Sequence, residues 1–239
     1  MGLGYDTADA EGTALGNPLS EDHTRVAELF STWRGQDDAM GVNLLDLRLR
    51  HGLGIGNATP DHDIASSRFR GTGVGFTTAR LELNRLQYLN EYWNILLATQ
   101  GQFATHALLA SEEFGVGGTR WGRGYPNQEL LGDHGVAGTL ELQLNLHPGS
   151  FGIGNTQLFG FLDGGKVWNK DRTAADQPTQ SRTSTGVGVR AAFTPTFTGE
   201  ATLAKPTSKS STQNDDDPVF LFNLRKTFGT PDFAAANPP

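Results

Sequence analysis

The chain has 239 residues, 31 of them glycine and none cysteine, and a formal net charge of −7. That length suits one large domain or two small ones, and the lack of cysteine excludes a disulfide framework and a thiolate metal site. The acidic balance gives no electrostatic reason to expect nucleic acid as a partner, and no apolar run approaches the ~18 residues of a membrane helix.

Alternation of apolar and polar residues is the dominant periodicity, so the elements read as strands. Gly2–Thr7 is a marginal first edge, and strands follow near 25–34 and 42–52. In the second of these Leu45, Leu47 and Leu49 alternate with Asp46, Arg48 and Arg50. Strands near 75–88 and 92–103 come next, the former alternating Leu81 and Leu83 with Arg80, Glu82 and Asn84. The clearest is 137–147, where Leu140, Leu142, Leu144 and Leu146 face one way and Glu141, Gln143, Asn145 and His147 the other. Strands near 156–168, 184–193, 197–205 and 219–228 complete the set, the last placing Phe220, Phe222, Leu224 and Phe228 on one face.

The connections add a rhythm. Gln36–Gly41, Leu89–Glu91, Pro148–Asn155 and Thr194–Thr196 are short, and Gly54–Val74, Ala104–Val136, Asn169–Thr183 and Pro206–Pro218 are long. Strict short–long alternation is the habit of an outer-membrane barrel, with turns on the periplasmic side and loops outside. Most strands are about ten residues, the length a tilted strand needs to cross a bilayer core. The polar faces carry Arg48, Arg50, Arg80, Glu82 and Glu141, which suits a water-filled lumen better than a packed core. A soluble β-sandwich with one wet face is the competing architecture; it gives no reason for the loop rhythm.

Nine strands and the Gly2–Thr7 edge fall short of a barrel with an aqueous interior, which takes about sixteen. An unclosed sheet in lipid leaves two unsatisfied edges. The expected fold is therefore an all-β, transmembrane antiparallel barrel, of which this chain supplies the C-terminal nine or ten strands. The opening MGLGYDTADAEG has neither the basic nor the apolar region of a secretory signal, so the chain is expected to be a mature form or incomplete.

Two segments carry the specific chemistry. Gly117–Leu131, GGTRWGRGYPNQELL, sets Arg123 between glycines on a Gly/Pro-rich loop, and Phe161-Leu162-Asp163-Gly164-Gly165 sets an aspartate within a strand. Folding the loop back onto that strand pairs the two charges, and a guanidinium can donate two parallel hydrogen bonds to one carboxylate. In a wet lumen one such pair is worth about 1 kcal/mol, enough to bias a loop between two positions without locking it. By itself, an arginine flanked by glycines is more often a solvated turn residue. Phe159 and Phe161 share the face of Asp163 and need cover, expected from Tyr125 or Trp121. Tyr88, Tyr92, Trp93 and Trp168 fall near strand ends, where aromatic girdles sit in barrels.

The segment Ser111–Leu142, SEEFGVGGTRWGRGYPNQELLGDHGVAGTLEL, resembles the loop and following strand of the ShlB/FhaC/HecB-type haemolysin secretion/activation transporters. The match lies in Arg123-Gly124-Tyr125, in Phe161, Asp163 and Gly165 of a Phe-x-Asp-x-Gly strand motif, and in the lead-in segments Gln100-Gly101-Gln102 and Ser111-Glu112-Glu113-Phe114. The resemblance spans most of residues 20–228.

It implies the outer-membrane component of two-partner secretion in a Gram-negative bacterium, a relative of the barrel-assembly proteins. A large haemolysin- or filamentous-adhesin-type protein would be its secreted partner. Residues 1–228 would be barrel, with 104–136 a loop folded into the lumen, Arg123 at its tip and Asp163 its receptor on the wall. The five strands after the loop agree with the last five of about sixteen. Phe228 would be the terminal aromatic read by the barrel-assembly machinery, outer-membrane lipid the surrounding solvent, and 229–239 a disordered tail beyond the usual end. Gly122 stands where such transporters carry a small apolar residue, which implies a looser loop tip.

No cofactor, metal or catalytic role is expected. Asp61-His62-Asp63 and Asn214–Asp217 lack a full ligand set, and GLGIG at 52–56 and GTGVG at 71–75 precede no helix. An adhesin or enzyme on a barrel scaffold would need a reactive cluster near the outer loops, and none is legible. A soluble sandwich binding module is the remaining alternative.

Overall fold

The computed structural model describes the chain except residues 15–16, 62, 64, 67–72, 147–148, 150–153, 171–178, 209–216 and 229–239. Twelve strands form: β1 (Gly2–Ala14), β2 (Asn17–Gln36), β3 (Gly41–Gly52), β4 (Thr77–Tyr88), β5 (Trp93–Ala104), β6 (Phe114–Val116), β7 (Leu130–Gly132), β8 (His134–Asn145), β9 (Asn155–Trp168), β10 (Gln180–Thr194), β11 (Phe197–Pro206) and β12 (Val219–Lys226). Ten of them make one antiparallel sheet in the order β1-β2-β3-β4-β5-β8-β9-β10-β11-β12, and β6 and β7 pair separately. Every neighbour in the large sheet is also the next long strand along the chain, the up-and-down connectivity of a barrel wall. The sheet is open, with β1 and β12 at its edges.

Why these segments can face lipid on one side follows from the pleat. Alternate residues face opposite sides, and one side is leucine-rich and uncovered. Leu47, Leu81, Leu97, Leu140, Leu142, Leu162, Val187, Leu203, Phe220 and Phe222 are all exposed there, Leu162 at 61% and Phe220 at 67%. Soluble monomers scatter apolar residues singly and do not expose a face running across eight or more strands. Among the described residues no second sheet covers it, so the sandwich alternative fails. Strands β3, β4, β5 and β8 each have 12 residues, which at the usual barrel tilt rise about 30 Å, enough for a bilayer's apolar band. The fold is an all-β, antiparallel, partial transmembrane barrel.

The opposite face is polar. Arg48, Asp46 and Glu28 pair across β2 and β3 at 2.8 and 3.3 Å, and Arg80 donates to Gln102 of β5 at 3.0 Å. The short connections stay tight. In the β2–β3 turn Asp37 accepts from the Gly41 amide at 2.9 Å and from Asn43 at 3.1 Å, and pairs with Arg85. The Arg85 guanidinium, helped by Asn43 and the Gly41 amide, holds the Asp37 carboxyl well below the usual carboxylate range.

The strand edges differ from expectation in two places. The Gly2–Thr7 edge is a full strand to Ala14, and β2 begins at Asn17 rather than near 25. Residues 8–24 carry few apolar side chains, so no alternation marks them. Residues 8–14 and 17–24 are held by backbone pairing and by Arg25–Asp9 and His23–Asp9 contacts at 2.8 and 2.9 Å. At the other end β12 stops at Lys226, and Phe228 lies just beyond it, 87% exposed. Trp93 and Tyr88 are partly exposed at the ends flanking the 89–92 turn, as a girdle requires, whereas Trp168 stacks on His134 at 5.6 Å. His62, Asn214–Asp216 and the tail 229–239 lie outside the described residues.

The two faces make opposite forecasts. Leu142→Arg, on the apolar side of β8, should destabilise the inserted protein by about 2–4 kcal/mol, whereas Gln100→Arg on the polar side of β5 should change stability by less than about 1 kcal/mol. Urea unfolding in lipid vesicles measures both.

Candidate functional site

The chain between β5 and β8 does not project outward. It folds against the polar face of the sheet and is largely buried there. Its middle is the β6–β7 hairpin, whose Phe114, Val116 and Leu130, with Trp121, form one buried apolar cluster with Ala98, Ala137 and Val167 of the wall. Burying a side chain the size of Phe or Leu stabilises by roughly 1.5–3 kcal/mol, so this cluster seats the hairpin before any charge is considered. Close approach needs small wall residues. A Cβ at Gly165 would stand 2.6 Å from Val116 and 2.8 Å from Ala137. The glycine of the strand motif is therefore the gap into which the hairpin sits.

The tip is a sharp turn. Gly122 takes φ of +84°, a conformation costly for any residue with a Cβ, and Tyr125 N donates to Gly122 O at 3.0 Å. Glycine at 122 thus fits the turn; it does not loosen the tip as the resemblance implied. A Cβ at Gly124 would meet Pro206 N at 2.8 Å and Ser184 Cβ at 3.0 Å, so only glycine brings the backbone this near β10 and β11. The Gly124 amide donates to Ser184 Oγ at 3.1 Å. Tyr125 Oη lies 2.9 Å from the Thr183 carbonyl and accepts from the Ser208 amide at 3.1 Å.

Arg123 is 4% exposed. Its Nε donates to Asp163 Oδ2 at 2.7 Å, Nη1 to Glu141 Oε1 at 2.8 Å and Nη2 to Thr139 Oγ1 at 2.8 Å. Its amide also reaches Asp163 Oδ2 at 3.3 Å. Asp163, with no exposed side-chain surface, takes its other oxygen's hydrogen bond from Ser184 Oγ. Glu141 accepts in addition from Arg190 at 2.9 and 3.1 Å and from Gln143 at 2.9 Å. Two guanidiniums and two carboxylates therefore neutralise one another, with Glu200 joined to Arg190 at 2.7 Å on the outside.

The structure brings Arg123 and Asp163 together in a particular manner. The guanidinium is divided between two carboxylates and a hydroxyl, not doubled on one. The pair is buried, not in a wet lumen, so the modest energy expected of a solvated pair does not apply. Removing one member of a buried network strands charge and costs about 3–5 kcal/mol. Phe161 and Phe159 are covered by cations, not by Tyr125 or Trp121. Arg123 lies 3.5 Å from the Phe161 centroid and Arg190 3.8 Å from that of Phe159. A cation over a ring is attracted to its π face, which is how these two aromatics tolerate the polar side.

Glu141, Thr139, Ser184 and Arg190 were not singled out for this site. Register is what joins them: Thr139 lies opposite Asp163 and Glu141 opposite Phe161 across β8 and β9, and Ser184 opposite Asp163 across β9 and β10. The pleat puts each on the polar face, and only register shows that they converge. Among the described residues no group of three or more His, Asp or Glu is gathered as a metal would need.

A strand wall with one lipid-facing side and a buried loop docked on its polar face defines a transmembrane barrel whose interior holds its own loop. The family model described as Haemolysin secretion/activation protein ShlB/FhaC/HecB matches residues 20–191, and the chain belongs to that family. Its members are outer-membrane protein transporters of two-partner secretion in Gram-negative bacteria. No curated protein matches the chain.

The divided guanidinium makes a sharp forecast. Lysine has one point charge and no planar fork, so Arg123→Lys should release the tip nearly as much as Arg123→Ala. Glu141→Gln should release it to a similar degree. The rate at which protease cuts within 117–129 in membrane-inserted protein reports each.

Proposed function

We propose that this chain forms wall and gate of an outer-membrane translocator that exports a large haemolysin- or filamentous-adhesin-type partner through the barrel interior. The polar face is the lumen, the segment 104–136 is the lumenal loop, and residues 1–228 belong to the barrel domain. Arg123, Gly124 and Tyr125 form the tip, received by Phe161, Asp163 and Gly165. One observation carries the reading: an arginine at the tip of a long connection is buried against the wall, with its charge matched by Asp163 and Glu141. A connection serving only to join two strands has no use for that arrangement, since loops normally run over the surface.

The chemistry is mechanical. Translocation in this reading is passive, and the loop gates the path: a seated tip holds it against the wall, whereas an unseated tip leaves it loose across the lumen. The secreted partner's folding outside the cell supplies direction. The outer-membrane lipid solvates the leucine face, and the barrel-assembly machinery inserts the wall by reading Phe228 at the end of β12. The exposed position of Phe228 just past the last strand leaves it open to such recognition.

The experiment is secretion in cells carrying the full-length protein and its partner. Arg123→Ala and Asp163→Ala should each reduce partner export at least about tenfold, the change expected when more than ~1.4 kcal/mol of docking is lost. Both variants should still insert, shown by heat-modifiable migration of the outer-membrane fraction. Normal export by both would remove the gating role.

A further inference from the structure

The tip is not the loop's only charged attachment. The leading limb, residues 105–113, runs from β5 to the hairpin and buries Ala107, Leu108, Leu109 and Glu112, with Leu108 and Leu109 fully inaccessible. It ends in a single 3-10 turn, Ala110–Glu112. From that turn Glu112 reaches Arg50 on β3 with both oxygens: Arg50 Nε to Oε2 at 3.1 Å and Nη2 to Oε1 at 2.8 Å. This is the parallel two-bond fork that the tip arginine does not make. Arg50 and Glu112 are 17% and 9% exposed at their side chains.

Arg50 is held ready from behind. Glu28 of β2 accepts from its Nη1 at 2.9 Å and Asp6 of β1 from its Nη2 at 3.1 Å. The Glu112 backbone is fixed as well, its carbonyl accepting from Gln102 Nε2 of β5 at 3.0 Å. The two lead-in segments of the sequence therefore meet each other: Gln102 from one grips the backbone of Glu112 from the other. The attachment lies on β1, β2, β3 and β5, whereas Arg123 and Gly124 dock on β8, β9 and β10 and Arg120 pairs with Glu82 of β4. Among the described residues Arg50 and Arg123 share no hydrogen-bond partner.

We infer that Arg50 and Glu112 form a second latch, which holds the leading limb on the β3 wall independently of the tip. This rests on the reading of the loop as a gate. Release of Arg123 alone frees the tip while the leading limb stays on β3; withdrawal of the whole loop requires both latches to open. Arg50 and Glu112 are positioning residues, acting on the loop and not on the cargo. Because Arg50 also binds Asp6 and Glu28, the first three strands have a direct grip on the loop.

Hydrogen–deuterium exchange in the membrane-inserted full-length protein tests this without asking for transport. Arg50→Gln and Glu112→Gln should each speed exchange in 105–113 by about tenfold or more, as loss of a part-buried, forked ion pair implies. The double variant should exchange no faster than the faster single, because each removes the same contact. Protection at the tip, 117–125, should stay as in the unaltered protein. Arg123→Ala should give the reverse pattern, with the tip exposed and 105–113 still protected. Arg48→Gln is the control: it lies on the same strand and binds Asp46 and Glu28 but not the loop, so 105–113 should be unaffected. Unchanged protection in both single variants overturns the latch. So does an equal rise in Arg48→Gln, or an additive double variant. Failure of the gating reading would appear as normal secretion by the tip variants, with this exchange pattern intact.

Discussion

The guanidinium of Arg123 is withdrawn from water and divided among Asp163, Glu141 and Thr139. Such a cation is tolerable only if every donor finds an acceptor and the charge is cancelled nearby. That single requirement explains much of the surrounding sequence. It needs two carboxylates on adjacent strands and on the same face, which β8 and β9 supply two residues apart in register. It needs a second cation to balance Glu141, which Arg190 supplies. It also needs a dry roof, formed by the β6–β7 hairpin and by Phe159 and Phe161 below.

The glycines of both motifs serve the same end by distance. Gly165 opens the wall for Val116, and Gly124 lets the tip backbone reach Ser184 and Pro206. The ring of Phe161 has no place on a polar face until a guanidinium lies on it. Each motif residue thus contributes to seating the tip, directly or by making room. The apolar side of the same strands has a separate task, which is to meet lipid. Alternation lets one strand do both.

How much of this could be read from the chain follows from the range of each interaction. Leu140, Leu142, Glu141 and Gln143 declare a strand and its two faces because the pleat has a period of two residues. The loop rhythm adds sidedness. Residues 8–14 and 17–24 stayed illegible because few apolar side chains mark a face and the pairing is made by backbone. Arg123 and Asp163 were legible as a pair through motif resemblance, but Glu141, Ser184 and Arg190 were not, since convergence across strands depends on register, which no local pattern contains. Burial was missed for a similar reason: the hairpin that keeps water out, 114–116 with 130–132, is two runs of three residues, too short to show a period.

The most direct test of the central claim is a double-mutant cycle on Arg123 and Asp163, read as the equilibrium for opening of 117–129 to protease in membrane-inserted protein. The account predicts that Arg123→Ala and Asp163→Ala each favour the open loop strongly, and that the double variant opens no more than the worse single, since both remove one shared contact. Additive effects, or no effect from either, would mean that the tip is held by something other than this pair.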